Sequence, residues 1–214
     1  MKISLCITCY DEDVHLLDAC LDSMSQQTVK PDEVIVVSSG FDWNKKIGSS
    51  KRLDYVVHNS PSRKFAGWAR NSGADISTGD IITFCDVDDK MHPQRCEYIK
   101  NVFRNPQISA LVGRYYFAEE FKSWKDLNLE FENLPVEVKE HDKCLKPPNG
   151  ERVHHGHLTC RTDMFSIGKM RYKEHQRTGQ DSEFCGRICD HPDYKIFHTP
   201  QELTLYYPSA ERHI

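Results

Sequence analysis

Asp86, Asp88 and Asp89 stand directly after the apolar run Ile81-Ile82-Thr83-Phe84-Cys85. Carboxylates crowded at the end of a buried run repel one another, and a hard divalent cation with oxygen ligands relieves the repulsion. Magnesium and manganese suit that ligand type. The plainer alternative is a solvated turn whose aspartates cap the next helix, since isolated Asp-x-Asp triplets are common. Asp181, in Gly179-Gln180-Asp181-Ser182-Glu183, lies near a helix start, where a carboxylate can serve simply as an N-cap. His154, His155, His157 and His175 gather in one stretch and could suggest metal. For each histidine taken singly, a surface or hydrogen-bonded role is the expectation. Arg63 and Lys64 offer positive charge to a phosphate, and an exposed basic loop explains them equally well. Cys6 and Cys9 have the gap seen in zinc sites, but no second Cys-x-x-Cys follows. They fall inside a strand-like run, so ordinary buried thiols are expected.

These groups need a scaffold, and the first half alternates strand and helix signals. Ile3, Leu5 and Ile7 begin a strand. Asp11-Glu12-Asp13 can cap the helix that carries Leu17, Cys20, Leu21 and Met24 at helical spacing. Val34-Ile35-Val36-Val37 is a continuous apolar run, as in a strand buried on both faces. Leu53 to Val57 reads as a third strand and Ala66 to Ala74 as a helix. Ile81 to Cys85 is another buried strand. Pro93 suits the first turn of a helix that continues through Cys96, Ile99, Val102 and Phe103. Strand–helix alternation predicts a largely parallel sheet with helices on both sides. Ligands bind at the carboxyl ends of such strands. Here those ends are Cys9-Tyr10, Ser38-Ser39 and Asp86-Val87-Asp88. Further on, Ala110 to Ala118 and Leu158 to Cys160 read as strands. The stretch 120–152, interrupted by Pro135, Pro147 and Pro148, reads as loops with a short helix.

Bulk properties narrow the class. The 214 residues are 38% hydrophobic and 28% charged, with a net charge of −4. That is a soluble globular composition without the basic surplus of a nucleic-acid binder. No apolar run is long enough to span a membrane, and the opening Met1 to Cys9 lacks the pattern of a signal peptide. The nine cysteines are an odd number, which favours reduced thiols and a cytoplasmic setting over a disulfide framework.

Two segments then carry a resemblance. Ala69-Arg70-Asn71-Ser72-Gly73, followed by Gly79-Asp80-Ile81-Ile82-Thr83-Phe84-Cys85-Asp86-Val87-Asp88-Asp89, is similar to the core of family 2 glycosyltransferases. The opening strand to Tyr10, Leu21-x-Ser23-x-x-x-Gln27-Thr28 and Pro31-x-Glu33-Val34 fit the same family. So does Gly179-Gln180-Asp181-Ser182-Glu183-Phe184-Cys185-Gly186-Arg187. The resemblance implies an α/β chain with a single GT-A, Rossmann-like domain over residues 1–214. Residues 1–103 would bind a nucleotide sugar, and 104–214 would hold the acceptor and the catalytic base. It implies that Asp86 and Asp88, flanking Val87, face the donor ribose and a manganese or magnesium ion on its diphosphate. Thr8, Tyr10 and Glu12 would surround the base, with Arg70 and Lys64 near the donor. His157, in a turn, would line the sugar and acceptor, and Asp181 would be the base. Ser38-Ser39-Gly40 stands where relatives often carry acidic residues. That leaves Ser39 at the donor and UDP, GDP and dTDP all open. Some relatives place a metal-binding histidine near the last strand, where this chain has Leu205-Tyr206-Tyr207-Pro208.

The implied activity is inverting transfer of a sugar from a nucleoside-diphosphate sugar to a hydroxyl of a glycan or glycoconjugate. A sugar-1-phosphate nucleotidyltransferase shares the sheet and metal, but should carry a basic, glycine-rich loop where Tyr10-Asp11-Glu12-Asp13 is acidic. A non-catalytic carbohydrate-binding domain is the third reading, against which Asp86, Asp88 and Asp181 all weigh.

Overall fold

Apolar runs that cannot be solvated pair side by side here. The computed structural model describes residues 1–40, 53–124, 128–132, 134–138 and 153–208. Strand β1 is Ile3–Tyr10, β2 Glu33–Ser39, β3 Val56–Ser60, β4 Ile81–Asp86, β5 Lys90–Met91, β6 Ala110–Phe117, β7 Val136–Val138, β8 Thr159–Arg161 and β9 Ile196–Tyr206. Among the described residues they form one sheet in the order β3-β2-β1-β4-β8-β6-β9-β5, with β7 also paired to β9. The first four strands in that order are parallel. Strand β8 breaks the rule by running antiparallel to both β4 and β6, and β5 and β7 run antiparallel to β9.

Alternation along β1 sorts its side chains. Ile3, Leu5, Ile7 and Cys9 enter one core layer, with Leu17, Cys20, Leu21 and Met24 of α1 (Leu17–Ser25) and Cys96, Ile99 and Val102 of α3 (Arg95–Val102). Cys6 enters the opposite layer, beneath α2 (Ala66–Ile76). The short α4 (Asp163–Ser166) and α5 (Gln180–Cys189) complete that layer with Phe165, Phe184 and Ile188. Cys6 and Cys9 therefore face opposite sides of the sheet and cannot share an ion. Burial pushes the Cys6 thiol up to about 12. None of the described helices is long and apolar enough to cross a membrane.

Several boundaries depart from expectation. Asp11–Leu16 forms its own tight 3-10 turn, and α1 starts only at Leu17, so the three acidic residues do not cap it by side chain. The third strand is displaced to Val56–Ser60, where Asn59 Oδ1 accepts from Ser38 Oγ at 2.9 Å. An edge strand tolerates such polar residues because one of its sides is unpaired. Pro93 precedes the N-cap Gln94 of α3 rather than sitting in its first turn. The stretch read as loop contains β7, while 125–127, 133 and 139–152 lie outside the described residues.

Candidate active site

Thr8 shares the parity of Cys6, so the end of β1 presents its hydroxyl on the α2 side of the sheet. Thr8 Oγ1 donates to Asp86 Oδ1 at 2.6 Å, and Arg70 Nη2, from α2, donates to the same oxygen at 3.0 Å. Arg70 is almost wholly buried. Burial works against its charge, but Asp86, joined by smaller contributions from Tyr172 and Asp181, outweighs that and raises its pKa. Burial likewise opposes ionisation of Asp86, and Arg70, then His157 and His154, hold its carboxyl below the ordinary value. The pair fixes the Asp86 carboxylate at the end of β4, just before the loop that carries Asp88 and Asp89.

Asp89 turns inward. It is 1% exposed. The backbone N–H of Tyr207 donates to its Oδ1 at 2.9 Å, tying the loop to the end of β9. Its Oδ2 stands 3.1 Å from His154 Nε2 and 3.0 Å from His157 Nε2. Burial would raise the Asp89 pKa, but these imidazoles hold it far below the carboxylate range. His154 is raised because Asp89 overcomes its desolvation. Burial and then His154 push His157 down to about 4. Arg95, buried at the head of α3, anchors the turn His155–His157 by donating to His157 O at 2.8 Å and to Thr83 Oγ1 at 2.8 Å.

One ligand atom each from Asp86, Asp89, His154 and His157 lies within 4.8 Å of the others. His154 Nδ1 is buried without a hydrogen-bond partner. Two carboxylates and two imidazoles gathered this closely are a donor set that suits a divalent cation.

A cavity of about 240 Å³ opens above this floor, and Thr8, Tyr10, Arg70, Asp86, Val87, Asp88, Asp89 and Asp181 all line it. Asp181 is the second residue of α5, whose N-cap is Gly179 at φ 72°. That left-handed conformation favours glycine. Asp181 is therefore not the N-cap; its Oδ1 accepts from the Ser182 N–H at 2.8 Å. Gly156 packs against the floor, where a Cβ would sit 2.9 Å from Arg70 Nη2 and 3.1 Å from Asp86 Oδ2.

Other expected positions separate from the cavity wall. Glu12 is exposed and paired with Arg63 at 2.5 Å, while the Arg63 guanidinium lies over the Tyr10 ring at 5.7 Å. Arg63 is thus engaged at the Tyr10 loop. Ser39 Oγ accepts from the Lys64 N–H at 3.3 Å and is buried, so it stitches β2 to the segment before α2. Glu12, Ser39 and Lys64 are absent from the cavity lining. His157 is buried beneath Asp89, where Arg95 and Thr204 hold its turn inward, and is not among the residues that line this cavity. Asp88 lines the cavity but is not one of the four converging groups. The residues that sequence reasoning left unassigned are His154 as Asp89's partner and Arg95. The clustered histidines and an arginine beside the apolar Cys96 were the available signals.

Known proteins resemble the chain in both sequence and shape. The model of the family described as "Glycosyl transferase family 2" matches residues 4–165. An uncharacterized glycosyltransferase of Haemophilus influenzae is 31% identical over 108 residues, 50% of this chain and 36% of that protein. Glycosyltransferase GlyA of Streptococcus pneumoniae is 29% identical over 122 residues, 56% of this chain and 17% of its own. The chain thus spans about a third or less of these relatives' length. The structure of S. aureus TarS 1-349 in complex with UDP-GlcNAc superposes with a TM-score of 0.72 at 14% identity, over 100% of this chain and 60% of that one. The mannosyltransferase PcManGT of Pyrobaculum calidifontis, in complex with GDP-Man and Mn2+, gives 0.65 at 17% identity, over 99% and 59%. These neighbours bear out the GT-A fold.

Proposed function

The chain belongs to glycosyl transferase family 2, and from that premise we propose that it moves a sugar from a nucleoside-diphosphate sugar to a hydroxyl of a glycan or glycoconjugate. The carrying observation is that Asp86, Asp88 and Asp181, distant in sequence, line one cavity with Arg70 beneath them. Complexes of TarS with UDP-GlcNAc and of PcManGT with GDP-Man and Mn2+ support a nucleotide-sugar donor and a divalent cation. Residues 1–103 serve the donor, and 104–214 serve the acceptor and the base.

Each side chain has a task in this reading. Asp86, held by Thr8 and Arg70, meets the donor ribose. Asp88 reaches the side of the diphosphate, and Tyr10 flanks the base. A manganese or magnesium ion, when bound at the Asp86–Asp89 loop, neutralises charge on the departing diphosphate. Asp181 takes the acceptor proton as the hydroxyl oxygen bonds to the anomeric carbon and the bond to the diphosphate oxygen breaks. One base and no second carboxylate assigned to a covalent intermediate make the displacement direct and inverting.

The test is incubation with UDP-, GDP- and dTDP-sugars plus manganese, followed by chromatography. Slow release of nucleoside diphosphate, accelerated by an acceptor, is the expected outcome. Pyrophosphate formed from a sugar phosphate and a nucleoside triphosphate would overturn it in favour of nucleotidyl transfer. Sugar binding without any release would leave a non-catalytic domain.

A further inference from the structure

Tyr10 and Tyr206 both line the cavity, and strand order puts them on opposite sides of the acidic loop. Tyr10 ends β1, which lies on one side of β4 in the sheet, and Tyr206 ends β9, which lies on the other. Strand β9 meets the loop where Lys90 pairs with Leu205 and the Tyr207 N–H donates to Asp89 Oδ1. Neighbouring strand residues point to opposite faces. Tyr206 therefore enters this cavity, while Tyr207 lines a separate hollow beside Leu16 and Cys20. Tyr10 flanks the base in the proposed reaction, and Tyr206 has no task there.

Other rings hold Tyr206 in place. Phe117 stands opposite it in the β6–β9 register and Tyr115 stands opposite Thr204, so all three rings project from one face of the sheet. The centroids of Tyr115, Phe117 and His154 lie 5.1, 5.8 and 5.1 Å from that of Tyr206, at interplanar angles of 69°, 52° and 70°. Edge-to-face and tilted contacts of this kind fix a ring's orientation. Tyr206, Tyr115 and Phe117 are nevertheless only half-buried. Burial, then Asp89, Asp88 and Asp86, raises the Tyr206 phenol above its ordinary value, so it stays neutral.

A neutral aromatic ring among carboxylates suits neither the anionic diphosphate nor a cation. The acceptor remains, and it must approach Asp181, which lines the same cavity. A pyranose carries a face of weakly positive C–H groups that lies flat on the negative face of an aromatic ring, while its hydroxyls stay free for hydrogen bonds. A serine side chain or an alkyl alcohol has no such face. We propose that Tyr206, braced by Tyr115, Phe117 and His154, is the platform on which a pyranose ring of the acceptor stacks, so that the acceptor is a carbohydrate rather than a lipid or protein hydroxyl. The proposal rests on the transferase reading and names its substrate class.

The whole chain is loaded with manganese and with whichever of UDP, GDP and dTDP raises its melting temperature most. Saturation-transfer magnetic resonance, irradiating aromatic protons, then probes methyl β-D-glucopyranoside, methyl β-D-galactopyranoside and methyl α-D-mannopyranoside, with 1,6-hexanediol and N-acetylserine amide as non-sugar probes. At least one pyranoside should receive saturation, strongest on the C–H groups of one face, and the non-sugar probes should receive none. Tyr206→Ala should weaken that pyranoside by about tenfold, and Tyr206→Phe, which keeps the ring, should stay within about threefold of wild type. Tyr206→Leu keeps apolar bulk should Ala disturb the wall, and should lose binding as Ala does. The melting shift given by the nucleotide sugar should not follow these losses. Saturation of the non-sugar probes alone, or of nothing, overturns the platform. A Phe variant as weak as Ala does so too, as does an equal loss of nucleotide-sugar binding, which would make Tyr206 a mere prop. Pyranoside stacking without release of nucleoside diphosphate from any sugar donor would refute the transferase reading and leave the stacking surface standing. Release of nucleoside diphosphate beside wild-type pyranoside binding in Tyr206→Ala would refute the platform alone.

Discussion

Arg70 and Asp86 form an ion pair at 3.0 Å in which the arginine side chain is 2% exposed and the aspartate 29%. Arg70 Nε and Nη1 have no hydrogen-bond partner, so Asp86 carries most of the compensation for a buried charge. Removing one member of such a pair costs more than the pair contributes, because the other charge stays behind. Asp86→Asn should destabilise the fold by roughly 2–3 kcal/mol, below the full cost of a buried pair because Asp86 is partly open to solvent. Chemical denaturation measures this. A loss no larger than that of Asp88→Asn would show that Arg70 is compensated elsewhere.

Asp181 calls for the opposite separation of effects. Its bond accepts the Ser182 N–H, which an asparagine oxygen can also accept. Asp181→Asn should therefore melt close to wild type and bind donor nearly as well. Transfer should fall by about 10²–10⁴-fold as the general base is removed. Transfer at the normal rate would remove Asp181 from the mechanism.

Gly156 is a steric prediction. A methyl there would press on Arg70 Nη2, on His154 Cε1 at 3.0 Å and on Asp86 Oδ2. Gly156→Ala should cost roughly 1–3 kcal/mol as an overpacked position. It should also lower donor affinity, because the groups displaced are those that meet the donor. Calorimetric donor titration beside thermal melts reads both, and wild-type values in each would show the floor to be compliant.

Acid sensitivity should localise in part to Glu33. Burial alone would raise its pKa, but Ser4 Oγ, the Thr78 N–H at 2.5 Å and the Gly79 N–H at 3.3 Å donate to it and lower it below 4.5. A carboxylate depressed in the folded state contributes stability above its unfolded pKa. That contribution is lost as pH falls through the lower, folded value. Melts between about pH 6 and about pH 3 should fall more steeply for wild type than for Glu33→Gln. Parallel curves would contradict the assignment.

Much of the donor half was legible because its signals are local. Val34 to Val37 and Ile81 to Cys85 are apolar without alternation, which suits only strands covered on both faces. Both are interior strands, paired on each side. Asp86 and Asp88 were visible because they end such a run. Glu12, Ser39 and Lys64 were harder. Position near a strand end puts a residue near the cleft, but whether its side chain enters depends on partners such as Arg63, which the sequence does not pair with anything.

The sequence alone determined the alternating strands and helices, the parity that turns Thr8 away from Ile7, and the family, since each follows from short-range patterning and motif order. The tertiary structure decided that β8 enters the sheet antiparallel and that Asp89 meets His154 and His157 rather than solvent. It also decided that Asp181 shares a cavity with Asp86. Those outcomes depend on contacts between segments far apart in the chain, whose geometry is fixed only when helices and sheet pack around one core.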